Sequence, residues 1–519
     1  MARKGNGRRQ IRNKHMKSKE DLFQLIQSMS KSEKRYFTLD AQKSGRRYSK
    51  YLELFQAINE MEAYDEDKMR KKFGRHLPSD KSYLYESILR SMRDYRSSKS
   101  KAAQIKELTL DARFLYERGL YEQSEERLIQ AKQMAHDLDD QLALLEITRE
   151  QLNFVWTMKK KDYGASIEGL LDEKEDYIDN INEELKYLSL AYKLQMAKND
   201  PELKQDEAAI ETAFPAEGFQ ERYFPASAHA QRRFLQSAAQ YHDLIEDFDR
   251  ANGLYFRMVE WWDQFPAIKE EEYVRYIADV FNLLHASYSQ KKYQQFESLL
   301  KRIEQEKPGS YHDQRLIFKQ LTNYKILYHI NFGISEGSEA LVQQVEEGMA
   351  VYKLNPVSQL IIAFNLTLLL FILGKFSLCQ RWAEKVLRDY NRTINNPDFR
   401  LAANLVSLLA AYDNSDIDRL DSALRAFQRS LKLTAKEERS QFFSSSAQHI
   451  KLLSNTTQKH TRAILKEFED NINAIRTAGQ ESIPLGLDEL VLAWIRSQKE
   501  GKTMRAIVRE AVGSNTNSE

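Results

Sequence analysis

Only one cysteine, Cys379, occurs in 519 residues. An intrachain disulfide is excluded, as are zinc sites built on several cysteines, and a reducing, cytoplasmic setting is expected. Glycine and proline are scarce as well, at 18 and 9. With 42% hydrophobic and 30% charged residues, that scarcity argues against a turn-rich β fold or a disordered chain and predicts an all-α protein. Long apolar runs are also missing. The longest, "LIIAFNLTLLLFIL" at residues 360–373, is interrupted by Asn365 and Thr367 and falls short of the roughly 20 residues that a bilayer span requires. It is expected to be a buried helix, with no membrane partner. The first residues, "MARKGNGRRQIRNKHMKSKED", are basic but lack the apolar stretch of a secretory signal.

Catalytic signatures are missing too. No H-E-x-x-H pair, phosphate-cradling Walker loop or serine nucleophile elbow occurs. Three His-Asp neighbours, His136-Asp137, His242-Asp243 and His312-Asp313, make poor chelates, because adjacent residues on a helix point about 100° apart. The expectation is a protein that is not an enzyme, with no catalytic residues, no metal and no cofactor.

What is present is a rhythm. In "GLYEQSEERLIQA", residues 119–131, Tyr121, Ser124, Leu128 and Ala131 stand at offsets zero, three, seven and ten, one face of a helix. The same template recurs at Tyr163 (Ser166, Leu170), Phe248 (Ala251, Tyr255, Met258), Tyr293 (Phe296, Leu300, Ile303) and Phe376 (Cys379, Ala383, Val386), with weaker copies from Ser338 and Ile417. The starts are separated by 42, 85, 45, 45, 38 and 41 residues. The 85 is about two periods, and Leu203, Asp206, Ile210 and Ala213 are a candidate for the degenerate copy between. A second helical pattern precedes each clear copy, for instance Ile105, Leu108, Ala112 and Leu115 before the first. The unit is therefore a helical hairpin, with Gly119 and Gly374 placed to end the first helix in a left-handed cap. An irregular helical protein whose amphipathic helices match by chance is the alternative.

"GLYEQSEERLIQA" resembles the tetratricopeptide-repeat family, whose pattern runs Gly, any, Tyr, two more, Ala, three more, a large residue, two more, Ala; Ser124 replaces the first Ala. The resemblance covers about residues 102–430, with a period nearer 40 than the family's 34. It implies a right-handed superhelical solenoid of helical hairpins whose first helices line a concave groove that binds a peptide or protein.

The ends differ from the array. Residues 1–110 hold 27 Lys and Arg against 14 Asp and Glu, an excess of 13 that leaves the remaining 409 residues at −11, since the chain totals +2. Such asymmetry suggests an anionic partner at the basic end. Residues 1–19 carry Arg3, Lys4, Arg8, Arg9, Arg12, Lys14, Lys17 and Lys19 and no acid. This tail is expected to be disordered, serving either to neutralise phosphates of nucleic acid or simply to aid solubility. Residues 20–101 read as an N-terminal basic helical region, a bundle or an atypical repeat, with a capped helix start at Ser79. A helix-turn-helix is conceivable there, although its turn carries Pro78 and no family pattern. Residues 431–476 read as a helical cap on the stack, and 477–519 as a linker, a short helix and a disordered tail.

Four asparagines complete the reading. Asn282, Asn323, Asn365 and Asn404 recur at intervals of 41, 42 and 39 in the first helices of successive hairpins, although Asn is an indifferent helix former. By the family resemblance, amides there grip the backbone of an extended peptide. Asn282 and Asn365 keep the family's offset of eleven residues before the template aromatic, whereas Asn323 and Asn404 do not. Tyr288, Tyr324, Lys325 and Arg400 would add selectivity. The competing reading is that these amides bridge or cap neighbouring helices internally.

Overall fold

A computed structural model of the chain describes residues 20–43, 50–61, 63–158, 163–200, 203, 206–332, 336–390, 397–415, 417–434, 440–456, 458–478 and 483–516. Among these residues there is no strand. The fold is all-α, and most helices pack against their neighbours in sequence. The chain divides into two compact units, residues 1–299 and 300–519.

Unit 1 starts with five helices, α1 (Asp21–Ser28), α2 (Lys31–Lys43), α3 (Lys50–Asn59), α4 (Glu66–Phe73) and α5 (Leu77–Ser97). They enclose a core of their own around Leu22, Ile26, Leu54, Leu77 and Ile88. The expected start at Ser79 is wrong by two residues. Pro78 lies in the first turn of α5, where its missing N–H costs nothing, and the Ser79 hydroxyl instead donates to the His76 carbonyl at 2.7 Å. The hairpin helices follow: α6 (Lys101–Glu117), α7 (Tyr121–Asp137), α8 (Gln141–Met158), α9 (Tyr163–Ala197), α10 (Glu207–Ala213), α11 (Ala228–Leu244), α12 (Phe248–Gln264), α13 (Pro266–Glu271), α14 (Tyr273–Ser289) and α15 (Tyr293–Gln305), within which the division falls. Unit 2 continues with α16 (Tyr311–Phe332), α17 (Ser338–Val351), α18 (Pro356–Ile372), α19 (Phe376–Lys385), α20 (Pro397–Asp413), α21 (Ile417–Thr434), α22 (Ser440–Ser454), α23 (Gln458–Ala478), α24 (Leu487–Glu500) and α25 (Met504–Thr516).

All seven template starts are the first residues of helices: Tyr121, Tyr163, Phe248, Tyr293, Ser338, Phe376 and Ile417. For five of them the reason lies two residues upstream. Gly119, Glu246, Lys291, Gly374 and Ser415 all have positive φ, between 54° and 74°. Each ends a first helix by a left-handed residue that turns the last N–H groups back onto the helix. At Glu246 the Asp247 N–H donates to the His242 carbonyl at 2.9 Å, and at Lys291 the Lys292 N–H donates to Ser287 at 2.9 Å. Leu120 to Leu115 and Lys375 to Leu370 repeat the bond. Template positions three, seven and ten then point into the hairpin, so that Ser124, Leu128, Ala131, Ala251, Met258, Phe296, Cys379 and Ala383 are all buried.

The Tyr163 copy departs from this. Ser166 is exposed and Leu170 half-buried, because α9 runs unbroken for 35 residues and packs on both α8 and α11. One long helix takes the place of two. The expected copy from Leu203 to Ala213 contains only the seven-residue α10, capped by Asp206, whose carboxylate accepts from the Ala209 N–H at 2.9 Å. Farther along unit 1 a buried ion pair fixes three helices. The Arg232 guanidinium donates to Asp279 at 2.8 and 2.9 Å, and the Trp262 indole donates to the same carboxylate at 2.8 Å, tying α11, α12 and α14. Removing one partner would strand a charge.

In unit 2, α16, α18 and α20 lie side by side, and Gly348 lets α17 close onto α16. A Cβ at Gly348 would stand 2.0 Å from the Phe318 ring, which is itself stacked on Tyr352 at 4.9 Å.

Two stability predictions follow from these turns and this contact. Glu246→Gly and Lys291→Gly should each stabilise by about 0.5–1 kcal/mol, since a side chain in the left-handed region costs roughly 1–2 kcal/mol and glycine offsets part of that gain with its own entropy. Urea unfolding midpoints that fall instead of rising would contradict the assignment. Gly348→Ala should cost about 1–3 kcal/mol by overpacking, read as a lowered thermal midpoint.

Candidate functional site

A repeat array places its ligand-facing side chains on its first helices, so the site is sought on α6, α8, α11, α14, α16, α18 and α20. The four asparagines do sit on such helices. Asn282 is exposed on α14, in unit 1, whereas Asn323, Asn365 and Asn404 belong to unit 2. Within unit 2 the amides serve the helix row itself. Asn365 Nδ2 donates to Asn323 Oδ1 at 2.6 Å, bridging α18 and α16. Asn404 Nδ2 donates to the Arg400 carbonyl at 2.8 Å and to the Ser430 hydroxyl at 3.2 Å. All three amides thus make contacts within unit 2. Tyr288 is half-buried with its ring 5.6 Å from Phe296. Tyr324 and Arg400 are half-buried, and Lys325 pairs with Glu304 at 2.6 Å. The basic residues Arg3, Lys4, Arg8, Arg9, Arg12, Lys14, Lys17 and Lys19 lie outside the described residues.

The first helices of unit 2 are enclosed. From Ser358 to Leu373 along α18, and from Pro397 to Asp413 along α20, no residue is exposed. A helix apolar all round has to be covered all round. Part of the cover comes from the end of the chain: Leu487, Val491, Trp494, Ile495 and Met504 join the core that holds Phe364, Leu369 and Leu405. Within the segment expected to be linker, short helix and disordered tail, the described residues form two packed helices, the second of which runs to Thr516, while residues 479–482 and 517–519 lie outside the described residues. The anchor is Trp494, fully buried, whose indole donates to Asp413 at 3.0 and 3.1 Å while Gln498 donates to it at 2.9 Å. Among the described residues no cation pairs with this carboxylate, and burial pushes its pKa up to about 6 despite the two donors.

The open first-helix surface lies in unit 1, between α6 and α8. Tyr116 and Phe154 stack there with ring centroids 4.3 Å apart and planes 3° from parallel, and the Tyr116 and Thr157 hydroxyls are hydrogen-bonded. Arg113 on α6 spans to α8, donating to Glu146 at 2.7 Å and to Glu150 at 3.0 Å. Beside this fork runs a groove of about 700 Å³ rimmed by Trp156, which is 69% exposed, and by the exposed amide of Asn153. Phe114 and Leu110, also exposed, extend the apolar strip along α6, with the Arg118 guanidinium 3.5 Å above the Phe114 ring. The template did not point to these residues because they stand off its buried face. The available signal was a second apolar stripe: Leu110 and Phe114 lie four apart on the side of α6 away from Ile105 and Ala112.

No protein-family profile, curated protein or solved structure matches this chain. Among the described residues no group of three or more His, Cys, Asp or Glu could hold a metal ion, and no helix is long and apolar enough to cross a membrane. Cys379 is fully buried at the small-residue slot of its hairpin, and burial raises its thiol pKa far above the usual range, which suits packing and not nucleophilic attack.

Asp413 generates a pH prediction. Its folded pKa lies above its unfolded value, so the stability it contributes is complete below about pH 4 and is lost as pH rises through about 6. Asp413→Asn should therefore stabilise unit 2 at pH 7.5 by on the order of 2 kcal/mol, since two pKa units are worth about 2.7 kcal/mol at most. At pH 4 the gain should vanish. A variant whose thermal midpoint tracks the wild type at both pH values would exclude this account.

Proposed function

We propose that the chain is a non-enzymatic interaction scaffold, a tetratricopeptide-like α-solenoid with right-handed superhelical winding, that binds a protein or peptide segment on its first-helix face in the cytoplasm. The observation that supports this best is the exposed Trp156 ring at the rim of the groove between α6 and α8, together with the exposed Leu110 and Phe114 farther round α6. A soluble surface rarely leaves so much apolar area open unless a partner covers it. The groove also has the make-up of an interface centre, with a large rigid ring beside an arginine and an amide able to read a peptide backbone. In this reading an apolar partner side chain rests on Trp156, and Asn153 meets the partner's main chain. The scaffold holds these groups through the Arg113 fork, so little ordering is left for binding to supply.

A second reading is favoured by one specific feature. Lys68, Lys71, Lys72, Arg75 and His76 are all exposed within nine residues where α4 turns into α5. That turn is three residues long and opens with Gly74 at φ 75°, the spacing of a helix-turn-helix connection. Nucleic-acid contact by the basic end, with the array as sensor, is the function this would serve.

One affinity purification separates the two, run with wild type and with a Tyr116→Ala/Trp156→Ala variant of unchanged helicity, and scored for protein and nucleic acid. A discrete polypeptide recovered with wild type and lost at least tenfold from the variant is expected, since a buried aromatic anchor is worth about 2 kcal/mol or more. Identical recoveries from both would remove the groove from consideration. Salt-sensitive nucleic acid recovered alone would favour the second reading.

A further inference from the structure

Unit 2 has a cavity among α19, α20 and α21 of about 490 Å³, within the range of about 300–1,000 Å³ that small-ligand sites occupy. Its lining is polar where most of the unit's interior is not. Ser377, Gln380 and Glu384 stand at offsets zero, three and seven on α19, and Arg419, Ser422 and Ala426 repeat those offsets on α21. Each set is one face of a helix. Neither is the face that the template buries, since the first lies one residue after Phe376, Cys379 and Ala383 and the second two residues after Ile417, Leu420 and Leu424. From α20 come Asn404 and Ser407, the two polar residues between Leu401 and Ala411. Three apart, they share a face as well.

Two of these side chains are buried with only one end of the amide bonded. Gln380 is 7% exposed and Asn404 5%. The Arg419 guanidinium donates to Gln380 Oε1 at 2.9 Å, which fixes the amide and leaves its Nε2 over. Asn404 is held the other way round: its Nδ2 is committed to the Arg400 carbonyl and the Ser430 hydroxyl, leaving Oδ1. Among the described residues neither Gln380 Nε2 nor Asn404 Oδ1 has a hydrogen-bond partner, and neither atom is sealed from solvent. The cavity is thus furnished with one fixed donor and one fixed acceptor. Charge adds little, because Arg381 pairs with Glu346 on α17 at 2.9 Å and Arg419 stands against Glu384 in the lining.

We propose that this cavity is a binding site for an amide, whose carbonyl accepts from Gln380 Nε2 while its N–H donates to Asn404 Oδ1. An amide is a neutral planar group that offers an acceptor and a donor side by side. A carboxylate has no donor for Asn404, and an ammonium has no acceptor for Gln380. Leu387, Ala423 and Ala426 supply an apolar wall for the ligand's hydrocarbon. The amide belongs either to a small molecule bearing a carboxamide or to a stretch of peptide main chain, which present the same group. The site is built on second helices of unit 2 and owes nothing to the α6–α8 groove, so either can fail without the other.

The test is calorimetric titration of the full chain with two probes, L-glutamine for the free carboxamide and N-acetylglycylglycine amide for the main chain, with L-glutamate as the control that keeps the size and loses the donor. Saturable binding of at least one probe is expected, and the one that binds identifies the source. Gln380→Glu keeps the acceptor that Arg419 holds and turns the Nε2 donor into an acceptor, so affinity for that probe should fall at least tenfold. Asn404→Leu, which suits the apolar surroundings of α20, should do the same and decides the matter if the first variant fails to fold. Absence of saturable binding of either probe at millimolar concentration, L-glutamate binding as tightly as L-glutamine, or unchanged affinity in a folded variant would each overturn the proposal.

Discussion

Five of the hairpins among the described residues depend on one reversal of the chain, a left-handed residue placed two positions before the second helix. It ends the first helix by turning its carbonyls inward, sets the angle at which the chain departs, and thereby fixes which side of the second helix meets the first. Small residues such as Ser124, Ala251 and Cys379 can lie in the contact only because the turn brings the backbones close. The Ser124 hydroxyl shows how close: it donates to the Ala112 carbonyl across the hairpin at 2.6 Å. Glu246, Lys291 and Ser415 hold this conformation without being glycine, so the packing downstream sustains a backbone that those residues would not choose alone.

This explains which parts of the fold were legible in the sequence. The helix-forming template was, because positions three, seven and ten must be apolar or small wherever the hairpin closes. The turn was legible only at Gly119 and Gly374, where residue type matches conformation. Tyr163 misled because the template records a local face, and nothing local reveals that α9 continues past its turn to serve two neighbours. α25 was missed for a related reason. Its partner lies nearly two hundred residues away, beyond any spacing rule. Of the candidate site, the helices were legible and the side chains largely were not. The asparagine interval was real, but an amide at a regular position can face a neighbouring helix as well as a ligand, and the 2.6 Å bond between Asn365 and Asn323 spends that pair on the former.

The two units treat their first helices in opposite ways. In unit 2 the row has become a core: α18 and α20 are so uniformly apolar that water on any side would be costly, and the chain's own end completes the enclosure. In unit 1, α6 and α8 keep a polar fork and the Trp156 ring in the open. The link between the two helices is Arg113. Its guanidinium donates to both Glu146 and Glu150 and so ties α6 to α8 beside the groove that Trp156 rims.

Polar groups inside unit 2 are of two kinds. Trp494 and Asp413 satisfy each other, an indole buried completely and hydrogen-bonded to a carboxylate that gives up part of its own ionisation to stay there. Gln380 and Asn404 are bonded at one end of the amide only. Leaving a buried polar group unpaired costs about 1–3 kcal/mol, so these two keep their places among packed helices only because the cavity among α19, α20 and α21 brings water or a ligand to the open ends.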